Sequence, residues 1–560
     1  MTPAEQRFQN GIVLARSGRL DDAIAEFREA ARLDPSLAEA HANLGGTLFR
    51  AGRARDAIQP LQIAISLNPN QPGWYFNLAG AMRQLGRVDE ALDAAEKAVR
   101  IAPNFAPAPA RLGSLLRACG RAADAVQSFR KAIALDPNFQ PAWSNLLYTL
   151  YYDPTASPGA ILAEHTVWAG RFAEALSQSA EPHRNDRDPN RRLRIGYVSP
   201  NLREHVTGLC FEPVLRSHDR ARFEIICYAD GNADDTTERL KQYADTWRQT
   251  GTLDDAALAK QIRDDQVDIL VDLNLHMAGS RLLAFARRPA PVQVTYLAYP
   301  GTSGMTAIDY AITDVHLDPP GSGSESHYVE KLIRLPQTYW CYRPADACPD
   351  VGPLPARSNG FITFGSLNNP VKFNASVASL WTKILAATPG SRLLVLAPGG
   401  NAGNLQVRSL FENAGIAADR VELIDLLPRE AYLATYNRVD IALDPFPYGG
   451  HTTSLDALWM GVPVVSLAGS TAVSRAGVTL LRNLGLDEFL AESFDRYFEI
   501  AAALSRDVDR LSQLRDHLRA RMSNSPLTAE VLYARALEEA YQVIWQQWRM
   551  GRPPKSVDIE

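Results

Sequence analysis

An α-solenoid followed by two Rossmann-like α/β units is the fold class this sequence predicts, and three observations predict it. The first third repeats with a fixed period. A polar, proline-bearing stretch then ends that period. Beyond it, short β-branched runs alternate with helical patterns, first in one set and then, after a second linker, in another.

The period is thirty-four residues: Gly18, Gly52, Gly86 and Gly120 are each followed by Arg, and Ala23, Ala57, Ala91 and Ala125 keep the interval, as do Pro35, Pro69, Pro103 and Pro137. This is the tetratricopeptide pattern of paired antiparallel helices. Gly suits the end of each first helix, where φ turns positive. The small Ala admits a close second helix, and Pro stops that helix because it cannot continue the hydrogen-bond ladder. A fifth unit opens near Gln140 and loses the pattern, as a terminal capping repeat does. Stacks of this kind present a concave face to peptides. Asn43, Asn77 and Asn145 share one repeat position there and are candidates to hydrogen-bond an extended acceptor backbone; simple suitability for helix packing is the alternative.

The stretch from Ser179 to Arg192 separates the repeats from expected strands at Leu193–Ser199, Phe223–Ala229, Val267–Asn274, Val292–Pro300 and Ile308–Asp314. A second set follows the Pro/Asp-rich region Arg343–Arg357: Phe361–Ser366, Arg392–Pro398, Arg420–Asp425, Val439–Phe446 and Pro463–Gly469. The expected domains are therefore 1–180, 190–345 and 355–560. A last helix, roughly Thr528 to Arg549, is long enough to pack on either sheet. Buried parallel strands of this kind place ligand sites outside their carboxyl ends.

Composition narrows the function. The chain has 560 residues and a net charge of −5, with both signs mixed along it, so neither nucleic acid nor a membrane surface is an expected partner. Five cysteines without a C-x-x-C pair argue against structural zinc or a disulfide framework and for a reducing, cytoplasmic setting. No signal pattern opens the chain. There is no P-loop, no G-x-G-x-x-G after a strand and no H-E-x-x-H, and the D-x-D pairs Asp186/Asp188 and Asp507/Asp509 are not at strand ends, so no metal and no cofactor are expected.

Three local arrangements carry the candidate chemistry. In PYGGHTTSLDALWMGVP (Pro447–Pro463) a glycine loop leads from a strand end into a helix, whose unsatisfied N–H groups and positive dipole end suit an anion. Spacing alone leaves a plain helix cap and a pocket both open, although His451 is not needed for capping. In FGSLNNPVKFN (Phe364–Asn374), Asn369 and Lys372 follow another strand end, where a lysine can neutralise a leaving diphosphate; a solvated surface lysine is the alternative. In SPNLREHVTG (Ser199–Gly208), His205 offers a base, a polarising group or a hydrogen-bond donor, or serves structure alone.

The repeats, then RPAPVQVTYLAYPGTSG (Arg288–Gly304), Lys372 and GGHTTSLDALWMGVPVV (Gly449–Val465), in that order, resemble the O-linked N-acetylglucosamine transferase family, including its Spindly members. The resemblance implies a GT-B fold and inverting, metal-independent transfer of N-acetylglucosamine from UDP-GlcNAc to Ser or Thr hydroxyls of proteins; the chain looks like a bacterial member. It further implies that His451, Thr452 and Thr453 bind the donor phosphates and Asp456 its ribose. Lys372 would stabilise the departing diphosphate, with Asn369 beside it. Leu297, Ala298 and Pro300 would line the sugar pocket, and Leu427, Arg429 and Tyr432 would meet base and ribose. His205 would be the active-site histidine, with Thr207 two residues on. Asn201 stands where animal members have Asp, which leaves the general base open. A GDP-fucose donor and a repeat scaffold with a degenerate transferase half are the alternatives. Self-association through the convex repeat face is an expectation that no single residue carries.

Overall fold

The computed structural model describes residues 1–178, 180–397 and 408–560; Ser179, which opens the expected linker, and Pro398, which closes an expected strand, lie outside the described residues. The chain forms two compact units, one of Met1–Asp153 with Asn369–Ala378 and Leu396–Leu426, the other of Pro154–Asn368, Ser379–Val395 and Leu427–Glu560.

The first unit holds four helix pairs, Pro3–Arg16 (α1) with Leu20–Leu33 (α2), Ala38–Arg50 (α3) with Ala54–Leu67 (α4), Pro72–Gln84 (α5) with Val88–Ile101 (α6), and Pro107–Ala118 (α7) with Ala122–Leu135 (α8), followed by Gln140–Leu150 (α9). Each repeat glycine sits just past its first helix with positive φ, from 78° at Gly18 to 73° at Gly120. The N–H of the Arg after it reaches back to the helix, as Arg19 does to Leu14 O at 3.0 Å and Arg121 to Leu116 O at 2.9 Å. That is the left-handed helix stop the repeat pattern predicts. Ala23, Ala57, Ala91 and Ala125 are fully buried between helices. Gly120 has a second reason to be glycine, because a Cβ there would lie 1.8 Å from Phe373 O in the segment Asn369–Ala378 of the same unit. Gly18 meets nothing within 4 Å, so its constraint is conformational only.

The second unit begins with helix Pro158–Phe172 and carries two parallel sheets. The strands of the first are Leu193–Ser199 (β1), Phe223–Ala229 (β2), Thr246–Gln249 (β3), Ile269–Asp272 (β4), Val292–Thr295 (β5), Tyr310–Asp314 (β6) and Lys331–Leu335 (β7). Their order is β7-β6-β5-β4-β1-β2-β3, with the short C-terminal strand Val557–Asp558 beside β7. β1 pairs in register with β2 from Leu193↔Phe223 to Ser199↔Ala229, and with β4 from Ile195↔Ile269. Continuous burial along these strands fits a sheet covered on both faces. In the second sheet, Thr363–Ser366 (β8), Arg392–Leu396 (β9), Ile441–Leu443 and Val464–Leu467 pair in parallel, β8 lying between β9 and Ile441–Leu443.

Strand Val292–Thr295 stops well short of the expected Pro300. Leu297 takes a positive φ of 71°, and the Ala298 N–H closes back on Tyr296 O at 3.0 Å, which ends the ladder in a tight turn. A non-glycine residue held there costs roughly 1–3 kcal/mol and persists only where its surroundings enforce it. The final helix, Glu530–Arg549, returns to the first sheet. Tyr533, Tyr541 and Gln547 meet Tyr296, Tyr197 and Tyr310 through buried hydrogen bonds of 2.7, 3.2 and 2.9 Å. The two sheets are fastened to each other by buried polar groups. Asp314 at the end of β6 accepts from Thr479 Oγ1 at 3.0 Å, and Arg475 donates to His316 O at 3.1 Å. Among the described residues, no helix is long and apolar enough to cross a membrane.

Candidate active site

The loop after Ile441–Leu443 is built around Asp444. Its carboxylate accepts from Ser454 Oγ at 2.6 Å and Ser466 Oγ at 2.9 Å, and its carbonyl from Tyr497 Oη at 2.9 Å. Gly450 packs on this network so closely that a Cβ would lie 2.0 Å from Ser454 Oγ and 2.4 Å from Asp444 Oδ1. Gly450→Ala is therefore expected to push the loop off the helix start and to destabilise the protein by about 1–3 kcal/mol, measured by thermal denaturation.

Helix Thr452–Trp459 starts at His451, which makes no side-chain cap hydrogen bond. The His451 ring instead stacks on Tyr448 at 4.8 Å, lies 4.7 Å from the Trp340 ring, and donates Nε2–H to Val473 O at 3.3 Å. A helix end with no side-chain cap and half-buried Thr452 and Thr453 is an arrangement suited to an anion. Thr453 is fixed on two sides: its hydroxyl donates to Asn368 Oδ1 at 2.7 Å, and its carbonyl accepts from Tyr436 Oη at 2.9 Å.

Beside this helix start, Asp456 is 1% exposed and fully engaged. Arg429 donates to it through both terminal nitrogens at 2.6 and 2.5 Å, and Tyr342 Oη at 2.8 Å. Burial works against the Arg429 charge, but the hydrogen bonds and charge of Asp456, with Tyr342 and Tyr432 nearby, together outweigh it and hold its pKa above the ordinary value. Tyr432 packs edge-on to Tyr436 with ring centroids 5.7 Å apart, and the Arg429 guanidinium is 5.5 Å from the Tyr432 ring centre. Leu427 is exposed.

From the first sheet, β1 runs into a loop that caps helix Val206–Ser217 with His205. The Thr207 N–H donates to His205 Nδ1 at 3.1 Å. Burial, and then the Arg203 charge, push the His205 pKa below its usual value, so the neutral ring with its proton on Nε2 is favoured. That tautomer presents a donor. Its one accepting nitrogen is already used by the cap, which weighs against His205 as the base. Asn201 donates to Asn274 Oδ1 at 3.0 Å, so this loop too is held by amides.

One recess gathers these elements within the second unit. Val206, Leu209 and Cys210 line it from the first sheet's helix, and Arg429 and Thr452 from the second sheet's side. Tyr342 and Arg343 line it as well, and the sequence pattern did not single them out. They fall in the stretch joining the two sheets, and the CYRP run there was the available signal. Arg343 and Arg239 both pair with the buried Glu212, at 3.0 and 2.8 Å, a three-way contact whose members are far apart in sequence. Leu297 and Pro300 are buried and Ala298 half-buried in the turn after β5. Asn369 and Lys372 lie in the first unit, on a short 3₁₀ turn that Asn369 caps by accepting the Val371 N–H at 3.1 Å.

Comparison with known proteins bears on this arrangement. The model of glycosyl transferase family 41 matches residues 137–346 and 354–537, and tetratricopeptide repeat models match 8–72, 47–104 and 82–150. The chain belongs to glycosyl transferase family 41. A Petunia hybrida protein named probable UDP-N-acetylglucosamine–peptide N-acetylglucosaminyltransferase SPINDLY is 37% identical over 418 residues, covering 73% of this chain and 44% of that protein. An Arabidopsis thaliana protein named the probable SEC enzyme of the same description is 31% identical over 383 residues, 66% of this chain and 39% of its own length. The chain thus spans less than half the length of these relatives. A solved Thermobaculum terrenum O-GlcNAc transferase mutant superposes with a TM-score of 0.83 at 37% identity, covering 92% of this chain and 98% of that one. The family 41 match spans both sheets, and the architecture is a helical repeat region followed by a parallel-sheet, two-domain α/β transferase fold.

Proposed function

We propose that this family 41 member is an inverting protein O-glycosyltransferase that moves N-acetylglucosamine from UDP-GlcNAc to Ser or Thr hydroxyls of polypeptides. The observation that carries this reading is the start of helix Thr452–Trp459, which lacks a side-chain cap and adjoins the Arg429–Asp456–Tyr342 group at one recess. A diphosphate would accept from the first-turn N–H groups beside His451, Thr452 and Thr453. The ribose and base would meet Arg429, Leu427 and Tyr432, with Asp456 acting by orienting Arg429. The sugar would lie against the turn at Leu297, Ala298 and Pro300. Its oxygens would take a hydrogen bond from His205 Nε2–H, an orientation that the Thr207 N–H fixes. Lys372, four residues past Asn368 in the chain, would meet the charge that develops as the diphosphate leaves.

The printed names of the relatives, which specify this donor and a peptide acceptor, support the reading. We place the acceptor along the repeats near Asn43, Asn77 and Asn145. Asn43 and Asn145 each donate one amide N–H to a carbonyl of their own helix, Glu39 and Pro141, at 2.9 and 2.7 Å, which fixes the amide plane. Metal independence, the three-part division at 1–180, 190–345 and 355–560, a cytoplasmic setting that the five free cysteines favour, and a bacterial origin belong to the same proposal.

Titration with UDP and GDP, followed by mass spectrometry of acceptors incubated with UDP-GlcNAc and EDTA, tests it. UDP is expected to bind and GDP not, with a single N-acetylhexosamine added to Ser or Thr. Tighter GDP binding, or no transfer, would overturn it.

A further inference from the structure

The inner side of the repeat unit carries an arginine cluster that the transfer chemistry does not use. Arg83 and Arg117 occupy the same repeat position thirty-four residues apart, and Arg111 stands where the preceding repeats place Asn43 and Asn77. All three line one open recess with a volume of about 720 Å³, together with Tyr148, Tyr152 and Asp425. The arginines that follow the repeat glycines behave differently. Arg19, Arg53, Arg87 and Arg121 each pair with an acidic side chain three residues on, at 2.6 to 2.9 Å. Among the described residues, Arg83, Arg111 and Arg117 have no such partner.

Their surroundings make that lack costly. The Arg111 guanidinium lies over the Phe76 ring at 4.3 Å, and its Nε is buried without a hydrogen-bond partner. The Arg117 guanidinium is 5.6 Å from the Tyr148 ring centre. Burial lowers the pKa of both, and the nearby Arg83 charge lowers each further. Three cations, two of them largely desolvated, line one recess in which Asp425 supplies the one carboxylate among the described lining residues. An arriving anion would gain hydrogen bonds from donors that are already dehydrated and held in place by aromatic rings. The whole chain is acidic at −5, so attraction for an anion here is local and not a property of the net charge.

We propose that this recess is a specificity subsite for the acceptor polypeptide, taking the carboxylate of an Asp or Glu side chain near the residue to be modified. The proposal rests on the reading of the repeats as the acceptor-binding part. A purely hydrogen-bonding asparagine face accepts any extended backbone, whereas Arg83, Arg111 and Arg117 select by charge.

Fluorescence anisotropy on the full chain, without donor, tests it with labelled peptides that differ only in Glu, Gln or Lys around one Ser. The Glu peptide is expected to bind about tenfold more tightly than the Gln peptide, and the preference to fade at high salt. Arg83→Gln and Arg111→Gln are expected to erase most of the preference, and Arg19→Gln, on a surface pair elsewhere, to preserve it. Thermal melts check folding, and the exposed Arg83 carries the test if a variant at Arg111 is unstable. Equal binding of Glu and Gln peptides, no binding of either, or a preference that survives Arg83→Gln would overturn the subsite. Transfer to a Gln acceptor despite equal binding would leave the transferase reading intact. Acidic preference without transfer would remove that reading and keep the subsite.

Discussion

Lys372→Ala is expected to lower kcat by about 10²–10³-fold while the affinity for UDP changes only a few-fold. In the proposed transfer, the acceptor hydroxyl would attack the anomeric carbon as the bond to the diphosphate oxygen opens, and that oxygen would gain negative charge. Helix-end N–H groups near Thr452 would already hold the diphosphate before reaction. Ground-state binding therefore survives the loss of the lysine, whereas stabilisation of the new charge does not. The lysine backbone belongs to a hydrogen-bonded turn: the Lys372 N–H closes on Asn369 O at 3.0 Å, and the Phe373 N–H on Pro370 O at 2.9 Å. Lys372→Arg keeps the charge but changes its shape and reach, and is expected to recover part of the rate. Single-turnover kinetics with UDP-GlcNAc, beside UDP titrations, separate the two quantities. A Lys372→Ala protein with unchanged kcat would exclude the role.

The sequence made the repeats legible to the residue, because each stop is a local event: a glycine that must turn positive and an Arg N–H that reaches back within the same helix. Strands β1 and β2 were equally legible, since a short apolar run between turn residues is what a parallel strand covered on both faces requires. Strand β3 was not, because Thr246–Gln249 is an edge strand whose Arg248 and Gln249 remain exposed. Strand β7 was hidden by Arg334, which is 2% exposed yet paired with Glu325 and Asp558, a charge that reads as surface until its partners are known. The same limit applies at the candidate site. The glycine loop and the histidine announce a helix end locally. That Asp456 is satisfied by Arg429 and Tyr342, from two distant segments, follows only from the fold. Spacing left cap and pocket both open for PYGGHTTSLDALWMGVP, and the side chain at the cap position turns out to stack on aromatic rings, not to close the helix.

The Arg429–Asp456 pair supports the second large prediction, on stability. Asp456 has its side chain 2% exposed, against 36% for Arg429. Arg429→Ala removes the bidentate partner and leaves the carboxylate in the interior with the Tyr342 hydroxyl. Because Arg429 is partly exposed, breaking this pair costs less than the ~3–5 kcal/mol of a fully buried one, about 2–3 kcal/mol. Burial raises the Asp456 pKa, and the hydrogen bonds and charge of Arg429 are the largest influences opposing it. Without Arg429 the folded-state pKa rises further above the unfolded value of about 3.9. Folded Arg429→Ala protein then keeps its proton over a pH range in which the unfolded chain has lost it. Its stability is accordingly full below about pH 4 and falls as pH rises through the raised pKa of Asp456, levelling off above it. Wild type, with Arg429 opposing burial, is expected to show much less of this slope. Adding Asp456→Asn to the variant supplies a neutral side chain and is expected to flatten the slope and recover stability at neutral pH, although neither partner of the original pair remains. Thermal melts across pH 4 to 8 for the three proteins check the order. A single variant whose melting temperature tracks wild type at every pH would show that Arg429 does not hold this carboxylate in its charged form.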